Sequence, residues 1–401
     1  MKFEKREQQI LAAQKGSNQV AVRGFNERLV LDLVRKNGAL TKAEATRLTG
    51  LSPNAVSVIF RALENENLLL RGAPIKGRIG QPSVPMRINP DARYYLGLKI
   101  GRHVADFVVI DFTGQVRSVV STTYKYPMPD ETVAFARNNL PSLLKGAGLE
   151  KEQISGFGIA MPDELWNWTM DFGAPKSKME IWRDVDLSRE LSDLGPWPVY
   201  RENDGTAACG AELLFGPHQS TQDLLYFFVG TLIGGGIALN GSVFRGRTGR
   251  AAGFGPMRVP VSTPGKDRLV DYASLSVLEN MIERAGGDRF SIYGDENAWQ
   301  ENTGLVEKWL ETTALGIAHA IVSSLSVIDF ETVVIDGSFP PTVREKLVEL
   351  VSRQLDQLDL QGIEKPAVEG GRWGPLARAV GAAALPLADE YVINQNTLMR
   401  H

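Results

Sequence analysis

The apolar positions near the start of the chain repeat with the period of a helix. Within residues 26–36 they recur three or four positions apart, as Val30 and Val34 do. Asn37 and Gly38 then provide a C-terminal stop. This pattern predicts one amphipathic helix over residues 26–36.

Two shorter helices are predicted directly after it. Thr41 and Glu44 have capping-box spacing, and Gly50 ends this second helix about two turns later. Ser52 then offers a cap, and Pro53 takes the first position of a third helix, where its missing N–H costs nothing. We expect the third helix to run to about residue 65.

The third helix has two different faces. Val56 and Phe60 are spaced to face a core, whereas Asn54, Ser57 and Arg61 share a second, polar face. Such a helix fits the major groove of DNA, where an amide pairs with adenine and a guanidinium with guanine or phosphate. The pattern favours a DNA-reading helix; the alternative is a three-helix packing unit that binds no DNA.

Two predicted strands, residues 68–71 and 84–88, flank a glycine-rich segment with a basic tip. Lys76 and Arg78 lie at this tip, which predicts a wing that contacts phosphates or a narrow minor groove. The residues that we expect to contact DNA are Thr41, Lys42, Ser52, Asn54, Ser57, Arg61, Lys76, Arg78 and Gln81.

The rest of the chain alternates strands with helices in two sets. The first set has predicted strands over residues 94–100, 104–110, 115–123, 154–161 and 198–202, and the second over 223–229, 237–240 and 333–336. An alanine-rich helix over residues 376–387 closes the chain. The strand-turn-strand plan of the second set echoes the first, so we expect two α/β lobes around a cleft that holds a small molecule.

Charge separates the two parts of the chain. The net charge of the 401 residues is −3, but residues 1–90 hold 15 Lys and Arg against 7 Asp and Glu. A basic module on an acidic body is typical of binding to a polyanion, although a solvated basic face would show the same composition. We expect domains over residues 1–90, 91–203 and 204–401, with the last helix returning to the first lobe.

Composition excludes several classes of protein. Cys209 is the only cysteine and the chain has four histidines, so we expect no intramolecular disulfide and no zinc site. No apolar run approaches the roughly 18 residues that cross a membrane, and residues 1–20 resemble no secretory signal. The expected location is the cytoplasm.

An ordered set of motifs then carries a family resemblance. Gly50-Leu51-Ser52, Gly80-Gln81-Pro82, Gly97-Leu98-Lys99-Ile100-Gly101, Glu202-Asn203-Asp204, the stretch 230–236 and Gly381-Ala382-Ala383 resemble the ROK family, named for repressor, open reading frame and kinase. The resemblance covers about residues 16–387 and is strongest to repressors of the xylose and N-acetylglucosamine type. It implies a winged helix-turn-helix joined to a two-lobed, actin-like (ribonuclease H-like) sugar-kinase fold.

The chain departs from the family's kinases where they handle phosphate. Lys99 stands where they carry a metal-organising Asp, Arg102-His103 fills a turn that needs small residues, and Leu232 replaces a phosphate-loop glycine. Asp204 matches the family's catalytic base, but a base without positioned phosphate has nothing to transfer. We therefore expect no enzyme activity and no cofactor.

The sugar and zinc motifs of the family have also changed. The family's sugar-binding Glu, His and third sugar carboxylate correspond to Gly253, Pro256 and Val270, and residues 260–268 replace its Cys-rich zinc loop. The ligand-binding residues that we expect are Asp163, Glu164, Trp182, Asn203, Asp204 and Gly235, with Lys176 and Arg201 nearby. Two alternatives stay open: Asp204 as the N-cap of the next helix, and Trp182 as a core residue.

These observations favour a sugar-responsive DNA-binding repressor of carbohydrate genes. Its partners would be a double-stranded operator, a sugar or sugar derivative and further copies of the chain, as a homodimer or homotetramer. The alternatives are an active sugar kinase with an extra domain, and a DNA-binding protein whose body serves only for dimerisation.

Overall fold

A computed structural model describes residues 19–74, 83–167, 169–263, 266–294 and 296–393. They form two compact units. The first comprises the described residues up to Ala92 with residues 388–393, and the second comprises residues 93–387.

The first unit contains the three helices that the sequence predicts. Its elements are α1 (Gln19–Asn37), β1 (Ala39–Leu40), α2 (Lys42–Thr49), α3 (Pro53–Asn65), β2 (Leu69–Arg71) and β3 (Met86–Ile88). The capping box is present, since the Thr41 hydroxyl accepts from the Glu44 N–H and the Glu44 carboxylate accepts from the Thr41 N–H. Gly50 ends α2 with a left-handed φ of 68°, and the Ser52 hydroxyl caps α3. The predicted caps are therefore confirmed.

The core of this unit lies between the helices and a small sheet. Val56 and Phe60 of α3 are 0 and 1 % exposed, so the predicted inner face is confirmed. The three strands are antiparallel in the order β1-β3-β2. Strand β1 was not predicted, because two residues are too short for an alternating pattern. The arrangement is a winged helix-turn-helix.

The second unit has two five-stranded sheets of the same topology. The first sheet, in the order β6-β5-β4-β7-β8, consists of β4 (Tyr94–Ile100), β5 (Val104–Asp111), β6 (Val116–Thr123), β7 (Ile154–Met161) and β8 (Val199–Asn203). The second, in the order β11-β10-β9-β14-β15, consists of β9 (Leu224–Val229), β10 (Ile233–Leu239), β11 (Ser242–Val243), β14 (Thr332–Gly337) and β15 (Ala367–Gly370). Each sheet has three antiparallel strands followed by two parallel ones, which confirms the predicted repetition.

Helices cover both sheets. They are α4 (Pro129–Ala147), α5 (Lys176–Met179), α6 (Leu187–Glu190), α7 (Asp204–Phe215), α8 (Leu275–Arg284), α9 (Asn297–Glu301), α10 (Thr303–Leu325), α11 (Pro341–Leu355) and α12 (Ala377–Tyr391). A separate hairpin pairs β12 (Arg258–Thr263) with β13 (Lys266–Arg268). Within the described ranges, no helix has the length and apolar character that crossing a membrane requires.

Helix α12 reaches the first sheet through backbone contacts. A Cβ atom at Gly97 of β4 would lie 2.3 Å from the carbonyl oxygen of Ala379, and one at Gly158 of β7 would lie 1.8 Å from that of Ala382. Only glycine allows the helix to approach these strands so closely. Helix α12 therefore packs closely on β4 and β7.

A buried carboxyl group on α7 gives the fold a pH-dependent feature. Glu212 is 0 % exposed, and its Oε2 accepts the N–H of Arg372 at 2.9 Å. The imidazole Nε2 of His218 lies 3.7 Å from the other carboxyl oxygen. Burial raises the pKa of Glu212 to about 7, so the folded protein favours the neutral carboxyl group.

We expect Glu212→Gln to reduce the pH dependence of stability. Because the pKa of Glu212 is raised on folding, its contribution is fully present below its ordinary pKa and is lost as the pH rises through about 7. The amide stays neutral, so between pH 5 and pH 8 the variant should gain on the order of 3 kcal/mol relative to the wild type. Urea unfolding at both pH values measures this, with the exposed Glu345→Gln as control. Free energies of unfolding that change with pH by the same amount in the variant and in the wild type would contradict the expectation.

Candidate functional site

In the first unit, the predicted DNA-reading face of α3 is available to a partner. Asn54 and Arg61 are exposed, Ser57 is partly exposed, and Ser52 and Lys42 are exposed at the N-termini of α3 and α2. Helix N-termini favour phosphate because their N–H groups point outward. Their contact with DNA stays a prediction.

Thr41 requires a correction. It is 7 % exposed, and its hydroxyl lies 2.7 Å from the Glu44 carboxylate, so the capping box uses this side chain. The sequence pattern that identified the cap thus also removes Thr41 from the DNA-contacting set. Lys76, Arg78 and Gln81 lie outside the described residues.

In the second unit, a cavity of about 420 Å³ lies where β7, β8 and β9 end and β10 begins. Five of the six predicted ligand residues line it: Asp163, Glu164, Asn203, Asp204 and Gly235. Gly253, Pro256 and Val270, which replace the family's sugar-binding side chains, also line it. The sequence thus brings the expected polar residues together in one cavity.

Asn203 and Asp204 have different roles at the start of α7. The Asn203 side chain is the N-cap, since its Oδ1 accepts the N–H groups of Gly205 and Thr206 at 3.0 and 3.2 Å. Asp204 is the first residue of the helix, so the alternative that it is the N-cap is wrong. This assignment leaves most of the Asp204 carboxylate for other partners.

Arg378 of α12 is the main partner of Asp204, and the sequence analysis missed it. Its Nη1 donates to Asp204 Oδ2 at 2.9 Å and its Nη2 to the Ser338 hydroxyl at 3.2 Å, while the guanidinium lies over the Phe228 ring. Arg378 is 8 % exposed and lines the cavity. One signal was present, because Arg378 is the only basic residue in an otherwise alanine-rich helix.

Asp163 and Glu164 extend the acidic side of the cavity. Burial raises the pKa of Asp163, and the Asp204 carboxylate raises it further. The Asn203 amide donates to Asp163 at 3.4 Å. Glu164 forms an ion pair with Arg250 from the loop after β11. These groups offer several hydrogen-bond acceptors to ligand hydroxyls.

Trp182 does not line the cavity. It is 3 % exposed within the core of the first lobe, and its Nε1 donates to the carbonyl oxygen of Pro127 at 3.0 Å. The predicted ligand contact is therefore corrected to the alternative, a core residue. Lys176 and Arg201 are exposed and also do not line the cavity.

The turn between β4 and β5 is filled by buried charge. Lys99 is 2 % exposed, and its Nζ donates to Asp106 Oδ2 and to the carbonyl oxygen of Val104, both at 3.0 Å. Burial lowers the pKa of Lys99 to about 8 against the opposing effect of Asp106. The turn therefore holds a buried ammonium–carboxylate pair.

His103 of the same turn contacts the second lobe. Its Nε2 lies 3.8 Å from Glu279 Oε1, and burial lowers the pKa of the imidazole. The Tyr293 hydroxyl donates to Glu279 at 2.6 Å and lies 2.9 Å from the hydroxyl of Thr231 in the turn between β9 and β10. Glu279 and Tyr293 therefore connect the turn between β4 and β5 with the turn between β9 and β10.

Metal-binding groups are sparse in the part of the chain that the structure describes. No three His, Cys, Asp or Glu side chains lie together as a metal site there. The Cys209 thiol is buried, and burial raises its pKa, so it is a poor metal ligand.

Two known proteins are similar in sequence to most of this chain. The chain is 24 % identical over 376 residues to the uncharacterized protein y4fQ of Sinorhizobium fredii, covering 90 % of each chain. It is also 24 % identical over 251 residues to the xylose repressor of Bacillus subtilis, covering 62 % of this chain and 64 % of the repressor.

Solved structures show the same fold. A ROK family transcriptional regulator, a homolog of the Escherichia coli MLC protein, matches with a TM-score of 0.64 and 18 % identity over 92 % of this chain and 97 % of its own. A ROK family glucokinase from Streptomyces griseus, solved with glucose and AMPPNP, matches with a TM-score of 0.58 and 22 % identity over 73 % of this chain and 98 % of its own. The ROK family description matches residues 95–388, most of the chain, so this protein belongs to the ROK family.

Proposed function

We propose that this protein is a sugar-responsive transcriptional repressor whose kinase-like unit binds a ligand but transfers no phosphate. The observation that carries the proposal is the ion pair between Asp204 and Arg378 in the cavity. The guanidinium of Arg378 holds this carboxylate through Asp204 Oδ2 at 2.9 Å, so that oxygen is already bonded within the protein. The same carboxylate can still accept hydrogen bonds from ligand hydroxyls.

Phosphoryl transfer also needs a positioned metal and phosphate. At the turn between β4 and β5 the chain has the Lys99–Asp106 pair. His103, Glu279 and Tyr293 lie beside it. A buried ammonium repels a divalent cation. These contacts support ligand sensing in preference to catalysis.

The exposed polar face of α3 supports the DNA-binding half of the proposal. Relatives named as xylose repressors and a regulator with the same fold agree with it. In the proposed mechanism a dimer or tetramer binds a palindromic operator through paired α3 helices. The ligand changes the closure of the cavity and so the spacing of those helices, and by linkage DNA changes ligand affinity by the same factor.

The active sugar kinase remains the second candidate because a ROK glucokinase shares the fold. Coupled ADP-release assays with magnesium, ATP and a panel of hexoses, pentoses and polyols decide between the two. We expect no sugar-dependent ADP release. Sugar-dependent release that Asp204→Asn abolishes would instead establish the kinase.

We expect Asp204→Asn to abolish the response to ligand while DNA binding persists. The carboxylate accepts through two oxygens and pairs with Arg378, whereas the amide accepts through only one oxygen and turns a donor toward the guanidinium. Ligand affinity should fall about tenfold or more. Calorimetric titration and ligand-dependent release from DNA measure this, with the exposed Asp184→Asn as control. An unchanged response would show that the ligand does not contact Asp204.

We expect Arg61→Ala to weaken operator binding by about 1–3 kcal/mol, because a guanidinium that reads a base edge contributes energy of this size. Lys76→Ala or Arg78→Ala should instead lower affinity evenly across sequences and reduce the salt slope by about one. Fluorescence anisotropy with duplexes selected from a randomised library measures both, with the exposed Arg353→Ala as control. Unchanged operator binding by the Arg61→Ala variant would show that α3 does not read bases in the major groove.

A further inference from the structure

The two sides of the cavity differ in chemistry. One wall, from the ends of β7 and β8, presents Asp163, Glu164, Asn203 and Asp204. Hydrogen-bond acceptors therefore converge on one edge of any ligand that enters. This wall suits a row of hydroxyl groups.

A second wall, formed by the start of β10 and the segments around residues 251–256 and 270, offers hardly any polar side chain. Leu232, Ile233, Ala252, Pro256 and Val270 line it. Arg250 is the polar exception on this wall, and its guanidinium is bound by Glu164. Arg102 and Arg378 also line the cavity, and Arg378 is bound by Asp204. Hydroxyl groups facing this wall would lose water without gaining a side-chain partner.

The backbone of the second wall does not replace the missing side chains at the positions where hydrogen bonds are known. The N–H of Val270 donates to Gly255 at 3.0 Å, that of Ala251 to Arg245 at 3.1 Å and that of Ile233 to the Ser274 hydroxyl at 3.1 Å. These donors are already occupied by the protein. At these three positions the wall therefore offers a ligand no free backbone N–H group.

The size of the cavity also favours a ligand larger than a bare monosaccharide. Its volume of about 420 Å³ falls in the range of about 300–1,000 Å³ in which drug-sized ligands bind. A bare monosaccharide would leave part of that space to water. Gly253 contributes to the extra room, since a Cβ atom there would meet only the carbonyl oxygen of Arg250, at 3.6 Å.

We propose that the ligand is a sugar bearing an apolar substituent, with its hydroxyls on the Asp163–Asp204 wall and the substituent against Val270 and Pro256. Alkyl and aryl glycosides are the simplest members of this class. The inference rests on the proposed function only in placing the sensed ligand in this cavity. It adds that hydroxyl contacts alone do not select the ligand.

Isothermal titration calorimetry on the full chain tests this with matched pairs. The probes are glucose, galactose and xylose, each compared with its methyl and phenyl β-glycosides. In at least one series the phenyl glycoside should bind about tenfold tighter than the free sugar, because it buries apolar area on the second wall. Free sugars that bind as tightly as their glycosides, or the absence of binding by every probe, would overturn the proposal.

Two variants test the assignment of the apolar wall. Gly253→Glu adds a carboxylate where space exists, and the nearly isosteric Val270→Thr adds one buried hydroxyl. Both should reduce the preference for the phenyl glycoside over the free sugar several-fold. An unchanged preference in both folded variants would overturn this placement. If the glycosides bind but never alter DNA affinity, the repressor proposal fails while the ligand class stands.

Discussion

Gly158→Ala is expected to destabilise the second compact unit by about 3 kcal/mol or more, the upper end for overpacked sites. The added Cβ would lie 1.8 Å from the carbonyl oxygen of Ala382, and backbone cannot rotate away as a side chain can. Helix α12 would have to move off β7. Urea unfolding followed by circular dichroism measures the loss.

Gly304→Ala is the matched control for this prediction. It lies in α10, and a Cβ atom there meets nothing within 4 Å. Alanine also favours a helix over glycine by about 1 kcal/mol, so this variant should be at least as stable as the wild type. Equal stability of the Gly158 and Gly304 variants would show that α12 does not press on β7.

Lys99→Met is expected to destabilise the protein by about 3–5 kcal/mol, because it leaves a buried carboxylate without its cation. Asp106 is 5 % exposed and would keep only the Ser121 hydroxyl as a side-chain partner among the described contacts. Replacing both members of the pair, with Lys99→Met and Asp106→Leu, should recover much of the loss. The cost arises from the orphaned charge and not from lost packing.

Urea unfolding of the two single variants and the double variant at pH 7 measures this coupling. A single Lys99→Met variant within about 0.5 kcal/mol of the wild type, the range of ordinary surface substitutions, would contradict the expectation. If the double variant does not recover stability, the packing of the Lys99 side chain, and not its charge, accounts for the loss.

Local signals predicted the elements well. The cap at Thr41, the left-handed Gly50 and the Ser52-Pro53 start were visible because each depends on residues within one turn of helix. The repetition of the strand-turn-strand plan was also predicted, because it recurs along the chain, but strands β11 and β15 of the second sheet were not predicted.

The misjudged site residues depend on contacts between distant parts of the chain. Arg378 lies 174 positions from Asp204, and no local pattern indicates that they pair. Trp182 bonds to the carbonyl oxygen of Pro127, 55 positions earlier, which decides that the indole belongs to the core. Sequence periodicity indicates which side of an element is apolar, but it does not indicate which partner covers it.

The glycine contacts of α12 also determine how motion passes through the second unit. A Cβ atom at Gly381 would lie 2.1 Å from the carbonyl oxygen of Ala207, so α12 touches α7 by backbone as well as β4 and β7. Contacts of this kind have no rotamers to absorb a displacement. Arg378 and Asp204 therefore lie on two helices in backbone contact, and a shift of one helix has to be matched by a shift of the other.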